Sequence, residues 1–242
     1  MKKLIISGCE KLNIDITEDT ADKLIRYYEI MIERNKSVNL TRITEQKDVV
    51  TKHFLDSLTT MLTGHLGKKV IDVGTGAGFP GLVLKTARPE IELTLLDSLN
   101  KRIKFLKDAA NEIGINSGIE FLHSRAEDAG LSSIYREKFD TAVSRAVANM
   151  RTLSEWCLPL VRVDGYFLAL KGPLAKEELD DAQAAISVLG GKVIDIMTVD
   201  IPYTDLHHNI IIVKKVRHTP AQFPRKGKNS TEIPVEKIHK TK

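Results

Sequence analysis

The sequence predicts an α/β fold: a doubly wound, mostly parallel sheet ending in an antiparallel hairpin, with a helical segment in front. Three observations carry the prediction. From Lys69 onward, short apolar runs alternate with segments of helical periodicity, the rhythm of parallel strands joined by crossover helices. The last two apolar runs break that rhythm, since no helical stretch separates them. The first 65 residues show helical spacing and no strand pattern. The chain therefore divides into a helical N-terminal extension (1–65), a sheet domain (66–217) and a C-terminal tail (218–242).

Residues 4–12 form a short segment with one apolar face. Thr17 is placed to cap a second helix, in which Ala21, Leu24, Ile25, Tyr28, Met31 and Ile32 recur at three- and four-residue spacing. Polar residues 35–41 break the pattern. A third helix is expected over about 45–62, with Val49, Phe54, Leu58 and Leu62 on its apolar side. Val70-Ile71-Asp72-Val73 is the first strand, followed by a glycine-rich turn. Pro80 opens a helix to about Arg88, in a first turn that tolerates its missing N–H. Strands at 92–96, 119–122, 139–144 and 166–171 interleave with helices at about 99–113, 150–158 and 176–189. Residues 192–199 and 209–216 make the hairpin, with Pro202 and Asp205 in its link.

Composition narrows the function classes. With 42% hydrophobic and 28% charged residues, 242 residues bury a core without disulfides or a structural metal. No apolar run approaches the roughly 18 residues of a membrane helix, and Glu10 and Lys11 stand where a signal peptide would continue. A cytoplasmic protein without a membrane partner is expected. Cys9 and Cys157 read as buried thiols and suggest neither a disulfide framework nor a zinc site. The formal net charge of +4 is unevenly placed. Residues 214–242 hold nine Lys or Arg and two Glu, a net of +7, while the rest of the chain carries −3. Such clustering is the footprint of a phosphate-rich partner, or of a solvated tail.

The turn after the first strand reads Asp72-Val73-Gly74-Thr75-Gly76-Ala77-Gly78-Phe79-Pro80-Gly81. Glycines belong where backbone touches a cofactor and a Cβ would intrude. The segment satisfies G-x-G-x-x-G, the dinucleotide pattern, and also D-x-G-x-G-x-G, the loop of S-adenosylmethionine enzymes. Asp97, 21 residues beyond Gly76, can accept from an adenosine ribose in either case. Three features favour S-adenosylmethionine over NAD. Asp72 precedes the first glycine, near the expected place of a methionine amino group. Ser124-Arg125-Ala126-Glu127 follows the third strand and can bracket an adenine edge. The terminal hairpin suits a methyltransferase sheet, and no second domain is large enough for hydride transfer.

At this point the chain resembles the RsmG family, also called glucose-inhibited division protein B. The matching segments are Asn35-Lys36 with Asn39-Leu40-Thr41, His53-Phe54-Leu55-Asp56-Ser57-Leu58, the glycine loop, and Leu96-Asp97-Ser98 before Lys101-Arg102. Ala126-Glu127, Ser144-Arg145-Ala146-Val147-Ala148 and Ala169-Leu170-Lys171-Gly172 complete the series. Pro224-Arg225-Lys226-Gly227 is similar to the family's basic ending, but Lys228-Asn229-Ser230-Thr231 stands where a proline usually follows. The resemblance implies a class I S-adenosylmethionine-dependent methyltransferase with a seven-stranded sheet. It further implies methyl transfer to N7 of one guanine in 16S ribosomal RNA near the decoding centre, with S-adenosyl-L-homocysteine as product. It places Gly74, Phe79, Ala126, Glu127 and Arg145 at the cofactor, where the loop and strand-end readings above already put Gly76 and Asp97.

Guanine N7 is already a lone-pair acceptor, so no residue is expected to act as general acid or base. Catalysis then rests on position and exclusion of water. Phe79 is expected to pack on the cofactor or supply a backbone contact, and Arg145 to bind the methionine carboxylate or an RNA phosphate. An RNA surface is expected from Arg145, Lys171, Arg225 and Lys226, with Lys228 beside them, although simple edge solvation serves Lys171 equally well. His53 and Asp56, three apart on a helix, read as a capping or substrate-facing pair; no metal site is expected. His207-His208 reads as a hairpin feature whose side chains point to opposite faces, and Trp156 as core. The expected partner is 16S ribosomal RNA or the small ribosomal subunit, and a monomer is the default. Competing readings are a small-molecule methyltransferase and a non-catalytic RNA-binding module.

Overall fold

The computed structural model of the chain describes residues 1–145 and 147–227. Of the expected tail, residues 228–242, Lys228 among them, lie outside the described residues. Seven strands form one sheet: β1 (Lys69–Val73), β2 (Glu92–Asp97), β3 (Ile119–His123), β4 (Phe139–Arg145), β5 (Val161–Lys171), β6 (Gly191–Asp200) and β7 (His207–Lys215). Their order is β3-β2-β1-β4-β5-β7-β6. β1 to β5 are parallel, and β7 runs antiparallel to both β5 and β6. The direct β6–β7 link explains that reversal, because a strand without a crossover helix can only fold back. The chain enters the sheet at β1 and winds outward in both directions. A crevice therefore opens where β1 and β4 diverge, at the carboxyl ends of the strands.

The chain opens on α1 (Lys2–Lys11) and α2 (Glu18–Val38). Thr17 caps α2 as expected, its Oγ1 accepting from the Thr20 N–H at 3.1 Å. The buried face differs from expectation: Ala21, Leu24, Tyr27, Ile30 and Met31 are buried, while Tyr28 and Ile32 are only half-buried. The helix also runs through the polar stretch and ends at Val38, where Asn39 takes the left-handed conformation (φ 54°).

The expected third helix is not uniform. It comprises α3 (Gln46–Val49), a π-helical stretch (Val50–Leu55), α4 (Asp56–Leu58) and a 3₁₀ turn (Thr59–Thr63). A π-helical stretch carries a wider turn, which shifts the residues after it around the axis, and such insertions concentrate at functional sites. The remaining helices are α5 (Gly81–Ala87), α6 (Asn100–Glu112), α7 (Ala126–Leu131), α8 (Met150–Cys157) and α9 (Ala175–Val188). Pro80 precedes α5 rather than opening it, and α7 carries no expectation from the sequence.

Each sheet face is covered by its own core. On one, Ile5, Leu24, Tyr27 and Phe54 of the N-terminal helices pack with Val70, Leu82, Leu93, Leu106 and Val143. On the other, Leu153, Cys157, Leu179 and Ile186 of α8 and α9 pack with Ile71, Ala142, Phe167 and Val213. The first 65 residues thus complete one of the two cores that a doubly wound sheet needs. Both cysteines are buried, and burial pushes the Cys9 thiol up to about 12. Among the described residues no helix is long and apolar enough to cross a membrane.

Candidate active site

The crevice at the ends of β1, β2, β3 and β4 holds a cavity of about 680 Å³. All seven residues expected at a cofactor line it: Gly74, Gly76, Phe79, Asp97, Ala126, Glu127 and Arg145. Leu40, Thr41, His53, Arg102 and Trp156 complete much of the wall.

The glycine loop is built from below. Asp72 is fully buried; its Oδ2 accepts from Thr75 Oγ1 at 2.7 Å and from the Gly81 N–H at 2.8 Å. Burial pushes this carboxyl up to about 6, while those two donors pull against the shift. The carboxylate braces the loop from beneath and does not line the cavity, contrary to its expected place beside a methionine amino group. Tyr27, buried in α2, donates its hydroxyl to the Ala77 carbonyl. Gly78 (φ +93°) lets that tyrosine approach, because a Cβ there would lie 2.5 Å from the Tyr27 hydroxyl.

At the end of β2, Asp97 is buried to 3% exposure. Its Oδ2 accepts from the Gly76 N–H (3.0 Å) and Arg102 Nη1 (3.2 Å), and its Oδ1 from the Leu99 N–H (2.8 Å). The acid therefore ties the glycine loop to the start of α6. Glu127, 8% exposed in the first turn of α7, has no hydrogen-bond or ion partner among the described residues. Its oxygens face the cavity and are free to accept from a ligand there.

Arg145, at the end of β4, is the centre of a second network. Its Nη1 donates to the Lys52 carbonyl (2.9 Å) and to Asp56 Oδ2 (2.8 Å), and its Nη2 to His53 Nδ1 (3.0 Å). Asp56 Oδ1 meets His208 Nδ1 at 2.5 Å. Desolvation opposes ionisation of Asp56, but the His208 hydrogen bond and the Arg145 charge together hold its carboxyl below the usual range. Burial and then the Arg145 charge push His53 down to about 4, so its ring is neutral. That ring stacks on Phe79 with centroids 4.4 Å apart, and the Arg145 guanidinium lies 5.0 Å from the Phe79 centroid. Phe79 is thus held by His53, Arg145 and Tyr27 as well as facing the cavity.

The expected RNA surface is not assembled as one open patch. Arg145 serves Asp56 and the N-terminal helices, with 15% of its side chain exposed. Lys171 is buried and donates to the Ala148 carbonyl and Glu178 Oε2, both at 2.6 Å. Arg225 is seated on Glu155, a fully buried carboxylate, through its backbone N–H, Nε and Nη2. Lys226 is the exposed member of the four, paired with Asp128 at 2.7 Å. A sequence displays cations but not the distant acids that pair with them, which is why these residues looked available.

Several wall residues escaped the sequence reading. Thr41 and Leu40 stood only within the resemblance. Trp156, read as core, is half-buried against the cavity, and its indole Nε1 has no partner. His207 and His208 do point apart: His207 meets exposed Asp200, while His208 turns inward to Asp56. The alternation of a strand gave the divergence, but nothing local signalled a partner 152 residues away.

Strand order, the glycine loop and the crevice at the carboxyl ends define the class: this is the fold of class I S-adenosylmethionine-dependent methyltransferases. Solved structures agree at the level of fold. An O-methyltransferase from Thermotoga maritima matches with a TM-score of 0.51 at 15% identity, over 78% of this chain and 72% of that one. A tRNA methyltransferase from Aquifex aeolicus matches at 0.50 and 14% identity, over 67% and 68%. The family is narrower. A family model described as rRNA small subunit methyltransferase G covers residues 20–207. A ribosomal RNA small subunit methyltransferase G from Alkaliphilus oremlandii is 50% identical over 98% of this chain and 99% of its own length. One from Clostridium perfringens is 47% identical over 96% and 98%. The chain belongs to the rRNA small subunit methyltransferase G family.

Proposed function

We propose that this methyltransferase acts on N7 of one guanine of 16S ribosomal RNA, near the decoding centre, with S-adenosyl-L-methionine as methyl donor. The cavity wall fits that cofactor: Glu127 is a buried acceptor without a protein donor, and the backbone at Gly76 presents no side chain to the space. When bound, S-adenosylmethionine supplies an electrophilic methyl carbon on a sulfonium. Glu127 would accept from the adenine amino group, Asp97 would take a ribose hydroxyl on the lone pair that its three protein donors leave on Oδ1, and Gly74 and Gly76 would admit the methionine end.

The observation that carries the choice of N7 is that, among the described residues of the wall, the titratable groups left once Glu127 is given to the adenine are not poised as a general base. Among the titratable residues of the wall, His53 has its Nδ1 lone pair taken by Arg145 and is pushed down to about 4. Asp97 is occupied by three donors. Methylation of a hydroxyl or an exocyclic amine needs a proton removed, whereas N7 offers its lone pair directly. The purine gains positive charge as it reacts, and Asp56, 2.8 Å from Arg145, offsets the charge of that arginine, which borders the wall together with His53 and Phe79. What remains for the protein is to hold N7 in line and exclude water. Work on ribosomal subunits also accords with a cytoplasmic setting.

Incubation with methyl-labelled S-adenosylmethionine and small ribosomal subunits lacking the modification tests this directly. N7-methylguanine at a single mapped position is the expected result. Label at another atom, or none in the presence of measurable cofactor binding, would overturn it.

A further inference from the structure

The wall contributed by the N-terminal helices carries one hydroxyl whose hydrogen-bonding role is fully determined. The backbone around Thr41 is fixed by Asn35, whose Oδ1 accepts from the Leu40 N–H (2.7 Å) and Thr41 N–H (3.0 Å) and whose Nδ2 donates to the Thr41 carbonyl (2.9 Å). The Thr41 Oγ1 accepts from the Ile43 N–H at 3.0 Å. It also lies 2.9 Å from His53 Nε2.

The direction of that second bond follows from Arg145. A guanidinium has no acceptor, so its Nη2 at 3.0 Å must take the lone pair of His53 Nδ1. The Lys52 carbonyl, also 3.0 Å from Nδ1, is served by Arg145 Nη1. The Arg145 contact thus favours the neutral tautomer with its proton on Nε2, donated to Thr41, over the one in which Nδ1 donates to the Lys52 carbonyl. Both lone pairs of the Thr41 oxygen are then filled, by Ile43 and by His53. Its own proton has no acceptor among the described residues, and the residue lines the cavity. Thr41 presents a group that donates and cannot accept.

We propose that the Thr41 hydroxyl selects guanine over adenine by donating to the O6 atom beside the reacting N7. This rests on the reading of guanine N7 as the target. Guanine shows two neighbouring acceptors on that edge, N7 and O6, while adenine shows N7 beside an amino donor. Adenine N7 is also a competent lone pair, so discrimination has to act at the neighbouring position. An amino group facing a saturated, donor-only hydroxyl leaves two donors unpaired, the kind of mismatch that discriminates strongly. Donation to O6 draws electron density from the ring and does not speed attack by N7. Thr41 thus binds and selects rather than accelerates. His53, Arg145 and Asp56 are positioning residues that act through it.

The test measures methylation of small subunits carrying guanine, adenine or 2-aminopurine at the mapped position; 2-aminopurine keeps N7 but has neither O6 nor the amino donor there. Thr41→Val removes the hydroxyl and keeps the shape. It should raise KM for the guanine subunit about tenfold, change kcat less than about threefold, and lower the guanine-over-adenine ratio of kcat/KM by about 10- to 100-fold. Thr41→Ser should retain the wild-type ratio. The unaltered protein should handle 2-aminopurine with a KM raised about as much as Thr41→Val raises it for guanine. The inference falls if Thr41→Val binds cofactor normally and keeps the wild-type ratio, or if the unaltered protein treats 2-aminopurine like guanine. Should Thr41→Val lose cofactor binding, the 2-aminopurine comparison decides alone. Labelling of the guanine subunit at an atom other than N7 overturns the target reading and this inference together.

Discussion

His208 Nδ1 sits 2.5 Å from Asp56 Oδ1, joining the start of β7 to the helix that follows the π-helical stretch. The same carboxylate holds Arg145 of β4 through its other oxygen. Three distant parts of the chain thus meet on one buried acid, and Arg145 passes the arrangement to His53 and Phe79. The geometry of the cavity wall is set by this acid, which does not itself line the cavity.

The contact makes stability depend on pH in a definite direction. The hydrogen bond to Asp56 raises the His208 pKa, against the opposing effect of burial. A raised folded pKa means the contribution is fully present below the unfolded value, about 6.5, and is lost as pH rises through the folded value. The urea midpoint of the wild type should exceed that of His208→Asn most at about pH 5.5, with the gap closing by about pH 9. A gap of constant size would show that His208 contributes no charge.

Tyr27→Phe deletes only the hydroxyl that reaches the Ala77 carbonyl. The carbonyl is left without that donor at a buried position, at a cost of about 1–3 kcal/mol in chemical unfolding. Cofactor affinity, read by calorimetry, should fall with it, because the loop loses its tether to α2. Unaltered affinity would mean that the loop stands without its helix.

Two glycines of one loop should fail in different ways. At Gly76 (φ +60°) a Cβ meets nothing nearer than 3.9 Å within the protein. Gly76→Ala should cost about 1–2 kcal/mol of backbone strain yet abolish cofactor binding, since the methyl enters the cavity. At Gly78 a Cβ would lie 2.5 Å from the Tyr27 hydroxyl and 2.8 Å from Leu106 Cδ2. Gly78→Ala should destabilise the fold by about 3 kcal/mol. Thermal melts beside binding isotherms separate the two effects, and equal melts would contradict the assignment.

Arg225 and Lys226 are neighbours with opposite expected behaviour. Arg225→Ala leaves the fully buried Glu155 without its bidentate partner and should destabilise by about 3–5 kcal/mol. Lys226→Ala touches an exposed pair and should change stability by less than about 0.5 kcal/mol. Its effect, if Lys226 meets a phosphate, is a salt slope for RNA binding reduced by about one. Stable Arg225→Ala protein with weakened RNA binding would restore Arg225 as an RNA contact.

The strands were legible because buried parallel strands are continuous apolar runs, and Val70-Ile71-Asp72-Val73 is one with its glycine turn attached. The cavity wall around the glycine loop was legible for a similar reason: turn glycines and strand-end acids sit at fixed sequence distances. The N-terminal wall was not. A π-helical insertion leaves no compositional mark, so the helix over 46–63 looked regular and the register of His53 and Asp56 was hidden. Of the adjacent tyrosines the stripe took Tyr28, although Tyr27 also stands at helical spacing from Leu24 and Met31; its loop partner, 50 residues on, was out of local view. Thr41 gained a role only when Asn35, Ile43 and His53 were seen around it.

The single core that joins the leading helices to the sheet has an implication for modularity. Class I enzymes are often pictured as a portable cofactor unit with exchangeable attachments. Here Tyr27 and Phe54 are interior residues of that unit, packed with Val70, Leu82 and Leu106. A chain trimmed at residue 65 would uncover the part of that face on which Ile5, Leu24, Tyr27 and Phe54 pack, and lose the donor beneath its glycine loop. Grafting new recognition onto this scaffold therefore has to begin at surface loops such as 39–45, because the first quarter of the chain cannot be exchanged as a cassette.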